Sequence, residues 1–136
     1  MKSKRQKGSA YELEVQKILE SQGYIVHRAR QSYFKAGNKI LTRSNDLFEV
    51  FDLCAKKKDS PTVWVQVGTS TNKSVKAKKI MDIGNIWNNQ DVIQLWMRYE
   101  GGIWKIYKLK DNEFIEIAKI ERGKYYIMKG EDDKNE

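Results

Sequence analysis

The sequence predicts one α/β domain in which helices pack on a central β-sheet, and three observations carry that expectation. Two stretches place apolar residues at helical spacing, and several others alternate or run apolar like strands. They follow one another as helix, three strands, helix, strand and a β-rich C-terminal part. A length of 136 residues with 40% hydrophobic composition suits one modest core rather than two.

Residues 1–8 read as a flexible basic leader containing Lys2, Lys4, Arg5 and Lys7, ahead of a domain over residues 9–128 and an acidic tail over 129–136. Residues 9–22 place Tyr11, Val15, Ile18 and Leu19 on one helical face, with Gly23 as the stop. Ser9 and Glu12 have the spacing of a capping box, a sufficient structural role for Glu12. Residues 24–28 alternate like a half-exposed strand, and residues 31–45 are polar enough to be a long loop.

From residue 47 to residue 55 the chain is apolar on both alternating faces, as in a central strand, broken only by Glu49 and Asp52. A charged turn over 56–61 leads to a second central strand, where Val63, Val65 and Val67 oppose Trp64 and Gln66. Residues 74–87 read as a helix packed on the sheet by Ala77, Ile80, Met81 and Trp87, with Gly84 as its weak point. Strands follow at 91–99 and 103–109 around Gly101-Gly102, then at 114–120 after Asp111-Asn112, with a last one over 124–128.

Lys+Arg number 26 against 18 Asp+Glu, a net +8; residues 1–120 alone hold 22 against 13, or +9. Such a field favours a polyanionic partner. One cysteine, Cys54, excludes an intrachain disulfide framework, and one histidine beside it cannot complete a Cys/His zinc site. With no apolar stretch long enough to cross a bilayer, the expectation is a cytoplasmic, intracellular protein without a membrane partner. His27 and the four tryptophans read as structural, and Cys54 as a small buried residue.

A carboxylate inside an apolar strand is costly unless a partner or cation compensates it, so Asp52 and the amide Gln66 on the next strand stand out. Glu12 is the third candidate oxygen donor, with Asp46 and Glu49 as alternatives. Oxygen donors of this kind suit Mg2+ or Mn2+. The structural reading of each is a salt-bridged carboxylate, a satisfied buried amide or a helix cap. Lys73, Lys76, Lys78 and Lys79 form a basic helix start that suits either phosphate contact or a solvated face.

In order along the chain, Gly8-Ser9-x-x-Glu12, then Phe51-Asp52-Leu53-Cys54-Ala55, then Val65-Gln66-Val67, resemble the PD-(D/E)XK nuclease core. The likeness spans roughly residues 1–100 and is nearest to archaeal Holliday junction resolvases. A second likeness is to phage and bacterial proteins of the same superfamily with Gln in the third motif, through Asp46-Leu47-Phe48, Asp52, Gln66 and the polar run 69–72. Gln66-Val67-Gly68 stands where Glu-x-Lys is expected, so the motif lysine is missing from its usual place.

The resemblance implies a restriction-endonuclease-like α/β core around a mixed sheet. It further implies a Mg2+- or Mn2+-dependent endonuclease acting on DNA, branched DNA in the resolvases, in recombination and repair, as a homodimer. Carried over residue by residue, Asp52, Glu12, Gln66 and the Val67 carbonyl would hold the cation, and Lys73 or Lys76 would replace the motif lysine. Lys2, Lys4, Arg5, Lys7, Lys73, Lys76, Lys78 and Lys79 would contact nucleic acid. Gly68 also admits a rival expectation, a nuclease fold without catalysis that binds DNA as an accessory protein; RNA cleavage is a third, since the same metal chemistry acts on either phosphodiester.

Overall fold

The computed structural model describes residues 4–29, 31–37, 39–44, 47, 50–84, 86–88, 90–121 and 127–128. The expectations for Lys2, Asp46, Glu49 and the acidic tail lie outside these residues. Helix α1 (Lys4–Ser21) comes first, followed by β1 (Ile25–Arg28), β2 (Gln31–Ala36), β3 (Lys39–Ser44), β4 (Leu53–Lys56) and β5 (Thr62–Thr69). A 3-10 turn (Ser70–Asn72) leads into α2 (Lys73–Asp82), then β6 (Asp91–Tyr99), β7 (Ile103–Lys110), β8 (Glu113–Ile120) and β9 (Ile127–Met128).

Among the described residues the main sheet has seven strands in the order β1-β4-β5-β6-β7-β8-β9, and β2 and β3 form a separate two-stranded sheet. Neighbours are antiparallel except β5 and β6, which run parallel because α2 carries the chain back across the sheet. The α/β class, single domain and mixed sheet therefore agree with the sequence. Among the described residues no helix is long and apolar enough to cross a membrane.

Strand alternation divides the apolar residues between two faces. Val63, Val65 and Val67 join Leu53, Ala55, Trp96, Trp104 and Ile106 under Val15 and Leu19 of α1. On the other face Leu95, Met97 and Phe51 pack under Ile80 of α2. Burying one such large side chain contributes about 1.5–3 kcal/mol. The α1 face also carries a polar clamp. Glu14 accepts from the Arg98 guanidinium and from Trp104 Nε1 at 2.9 Å, while Arg98 stacks on Tyr11 at 4.7 Å. The clamp joins α1 to β6 and β7.

Several boundaries differ from the sequence expectation. Helix α1 begins at Lys4, so residues 4–8 continue the helix instead of forming a leader, and Ser9 lies inside it rather than at a capping box. Its end follows the expected rule: Gly23 has φ +93°, Tyr24 N donates to the Leu19 carbonyl, and Gly23 N donates to that of Glu20. The expected loop over 31–45 holds the β2–β3 hairpin, paired from Gln31↔Ser44 to Ala36↔Lys39.

The expected long strand over 47–55 is shorter. Leu47 and Phe51 exchange backbone hydrogen bonds with each other, and regular pairing starts only at Leu53. The segment is apolar on both alternating faces because Val50 and Phe51 serve the α2 core while Leu53 and Ala55 serve the α1 core. Helix α2 stops at Asp82, not residue 87, because Gly84 turns into the left-handed region at φ +90°. At the β7–β8 hairpin Asp111 and Asn112 both adopt positive φ, as a two-residue turn requires.

Candidate metal and phosphate site

Asp52 sits where β4 becomes irregular. Leu53 is the register partner of Val65, yet the Asp52 amide also donates to the Val65 carbonyl at 2.9 Å, so two residues oppose one in the manner of a bulge. Bulges re-aim side chains, and here the carboxylate turns along the sheet toward the end of β5. Asp52 Oδ2 accepts from Val67 N at 2.8 Å and from Gln66 Nε2 at 3.1 Å. Asp52 is 6% exposed and Gln66 1% exposed. Backbone amide donors of this kind favour the ionised form of a buried acid.

The Asp52 contact also orients Gln66. Were the amide reversed, its oxygen would face the carboxylate and two acceptors would oppose each other, so the nitrogen takes that side. Gln66 Oε1 is then directed elsewhere, and it is buried without a hydrogen-bond partner among the described residues. A buried acceptor left in this way costs about 1–3 kcal/mol. In an extended strand a residue's N–H and C=O point to the same lateral side, so the Val67 carbonyl faces the edge at which Asp52 lies.

Steric crowding accounts for Gly68. A Cβ at this position would lie 2.6 Å from Asn72 Oδ1, 2.8 Å from Met97 Cε and 3.3 Å from Lys76 Cε. Asn72 Oδ1 accepts from Thr69 N at 2.9 Å, closing the turn between β5 and α2. The space for a side chain at 68 is thus taken by that cap and by the stem of Lys76. A lysine enters the region from α2 instead of from the strand.

The other expected residues lie at varied distances from this centre. Lys73 places its Nζ 4.0 Å over the Tyr107 ring, and the Tyr107 hydroxyl meets that of Tyr99 at 2.9 Å. Gln66, Leu95 and Tyr107 are successive cross-strand partners, so Lys73 lies two strands away, roughly 10 Å. Burial and the Tyr99 hydrogen bond push the Tyr107 phenol well above its ordinary value. Lys78 and Lys79 are exposed on the outer side of α2, Lys78 paired with Asp82 at 2.9 Å. Lys4, Arg5 and Lys7 lie on the first turns of α1.

Glu12 pairs with Arg28 of β1 at 3.5 Å. Arg28 opposes Leu53, and Ala29 N donates to the Asp52 carbonyl at 2.8 Å, so the ion pair stands at the same end of the sheet as Asp52. Among the described residues no three His, Cys, Asp or Glu side chains gather at metal-binding spacing. The arrangement unites Asp52, Gln66, Val67 and Lys76, and it ties Glu12 to a cation the sequence did not single out. Arg28 was legible only as one basic residue of an alternating strand; its partner comes from a helix sixteen residues earlier in the chain.

The structural readings are met elsewhere. Trp96 and Trp104 are buried, while Trp64 and Trp87 pack against Phe51. His27 lies on edge strand β1. Cys54 is only half-buried, and desolvation raises its thiol pKa. No family model, curated protein or solved structure matches this chain.

Proposed function

We propose that the chain is a divalent-metal-dependent DNA endonuclease of the PD-(D/E)XK type. The observation that carries this reading is the buried Asp52 carboxylate bonded to Gln66, whose Oε1 has no hydrogen-bond partner among the described residues. A cation fits this donor set: a carboxylate, an amide oxygen and the Val67 carbonyl are the hard oxygen ligands that Mg2+ or Mn2+ takes. When bound, the cation supplies Lewis-acid activation of water and neutralises charge on the phosphate. The order of elements is a second support. A helix, an antiparallel run β1-β4-β5 and a helical crossover to parallel β6 give a mixed sheet with helices packed on it, in keeping with the α/β core around a mixed sheet that the resemblance implies.

In this reading the chain's own groups have distinct tasks. Val67 N and Gln66 Nε2 hold the Asp52 carboxylate fixed in direction. Lys76 brings positive charge over Gly68, where the scissile phosphate needs it, and Lys73 extends that charge toward β7. Glu12 orients Arg28 and, through it, the edge of β1. A homodimer would offer two such centres to two strands of branched DNA.

The second reading, a nuclease fold that binds DNA without cutting it, is favoured by the engagement of Glu12 with Arg28 and by the lack of a strand lysine. Labelled four-way-junction, duplex and single-stranded DNA, with RNA in parallel, separate the two in Mg2+, Mn2+ or EDTA. Metal-dependent cleavage that disappears in Asp52→Asn and weakens in Gln66→Ala is the expected result, and symmetrical cuts confined to the junction identify a resolvase. Absence of cleavage on every substrate, with binding that falls steeply as salt rises, makes the accessory protein the correct reading.

A further inference from the structure

The chain between residues 21 and 45 contains five Lys/Arg and no Asp/Glu. Three of those charges, Lys35, Lys39 and Arg43, fall on the β2–β3 hairpin, interleaved with Tyr33 and Phe34. The hairpin does not extend the main sheet, although it stands between β1 and β4 in sequence. Ala29 N donates to the Asp52 carbonyl at 2.8 Å, so the excursion leaves the sheet at Ala29 and returns at Asp52. The chain just ahead of the ribbon is thus bonded, through Ala29, to the backbone of the residue at the centre of the candidate site.

Six paired positions make a ribbon about 20 Å long, and a two-stranded ribbon is one of the two elements that the B-DNA major groove admits. A lone two-stranded hairpin is marginally stable in water, so a binding partner would contribute to its order. We propose that the β2–β3 hairpin is an arm that grips duplex DNA through its phosphates and holds the duplex against the Asp52 end of the sheet. The duplex rather than a single strand follows from the ribbon's dimensions, and the identity of the polyanion as DNA rests on the nuclease reading above.

The test is a salt titration of binding to a labelled DNA duplex in EDTA, comparing the natural protein with Lys35→Gln/Lys39→Gln/Arg43→Gln. A second triple variant, Lys108→Gln/Lys110→Gln/Lys119→Gln, removes equal charge from β7 and β8, far along the sheet. The hairpin variant is expected to lower the slope of log K against log salt by about 2–3, since each lost phosphate contact removes about 0.9. The control is expected to change it by less than one contact's worth. Equal slopes for the hairpin variant and the natural protein overturn the arm, and equal losses from both variants overturn it in favour of diffuse net charge. Equal competition by single-stranded RNA overturns the assignment of a duplex. If the natural protein shows no salt-dependent binding to DNA, the DNA reading itself fails, an outcome distinct from failure of the arm alone. Unfolding midpoints of both variants, expected unchanged, separate a binding loss from a folding loss.

Discussion

The two faces of the sheet use the same strands for different ends. Toward α1, β5 presents Val63, Val65 and Val67 to a continuous apolar core; toward α2, the same strand carries Trp64, Gln66 and Gly68. Polar groups on the α1 face are closed upon one another, with both Glu14 oxygens taken by Arg98 and Trp104. The α2 face leaves an acceptor of Gln66 without a partner among the described residues and holds the Lys73 cation over an aromatic ring. One face is built for stability. The other bears a polar deficit near its centre, which is where a ligand would gain the most.

That contrast can be broken from either side. The largest expected effect is on the α1 face: Trp104→Ala opens a cavity in the core and removes the indole from the Glu14 clamp, costing about 3–5 kcal/mol in urea unfolding. Its effect on metal response should be nil once the protein is folded. Next comes Gln66→Glu, which replaces the amide donor 3.1 Å from Asp52 with a second acceptor. Without divalent metal it should destabilise by about 1–3 kcal/mol. Mn2+ should raise its melting temperature more than that of the natural protein, and an equal response would argue against a cation at this pair.

Gly68→Ala sharpens the comparison sterically. The new Cβ meets the Asn72 cap at 2.6 Å, and a loss of about 1–3 kcal/mol is expected in thermal or denaturant melts. A neutral result would mean that the turn yields, and that the glycine has some other basis. The smallest effect concerns pH. Because the folded Tyr107 phenol titrates above its ordinary value, its contribution is fully present below that ordinary value and is lost as pH rises through the folded one. Stability should therefore decline in the alkaline range, and Tyr107→Phe should flatten the decline while costing about 1 kcal/mol at neutral pH.

Local pattern was enough to read much of the fold. The alternation of β5, the span of β6 and the turn at Asp111-Asn112 are properties of a few neighbouring residues, and the structure repeats them closely. Asp52 and Gln66 were legible as well, because a carboxylate and an amide among valines and leucines carry a desolvation cost that composition alone exposes. The hairpin over 31–44 was missed since its polar residues look like a loop until the two strands are set against each other. Helix α2 was overextended because apolar spacing continued past Gly84, whose positive φ the spacing does not report.

What the sequence by itself determined is the identity of the elements, the basic charge and the polar residues placed among apolar ones, because each depends on short-range periodicity or on counting. Only the tertiary structure decided what those residues meet. It brought Asp52 to Val67 N, turned Glu12 toward Arg28, filled the space at Gly68 with Asn72 and Lys76, and bonded Ala29, just ahead of the β2–β3 ribbon, to Asp52. Each of these is a contact made across the bulge, the crossover or the helix packing, and its geometry depends on how whole elements settle against one another rather than on any local run of residues.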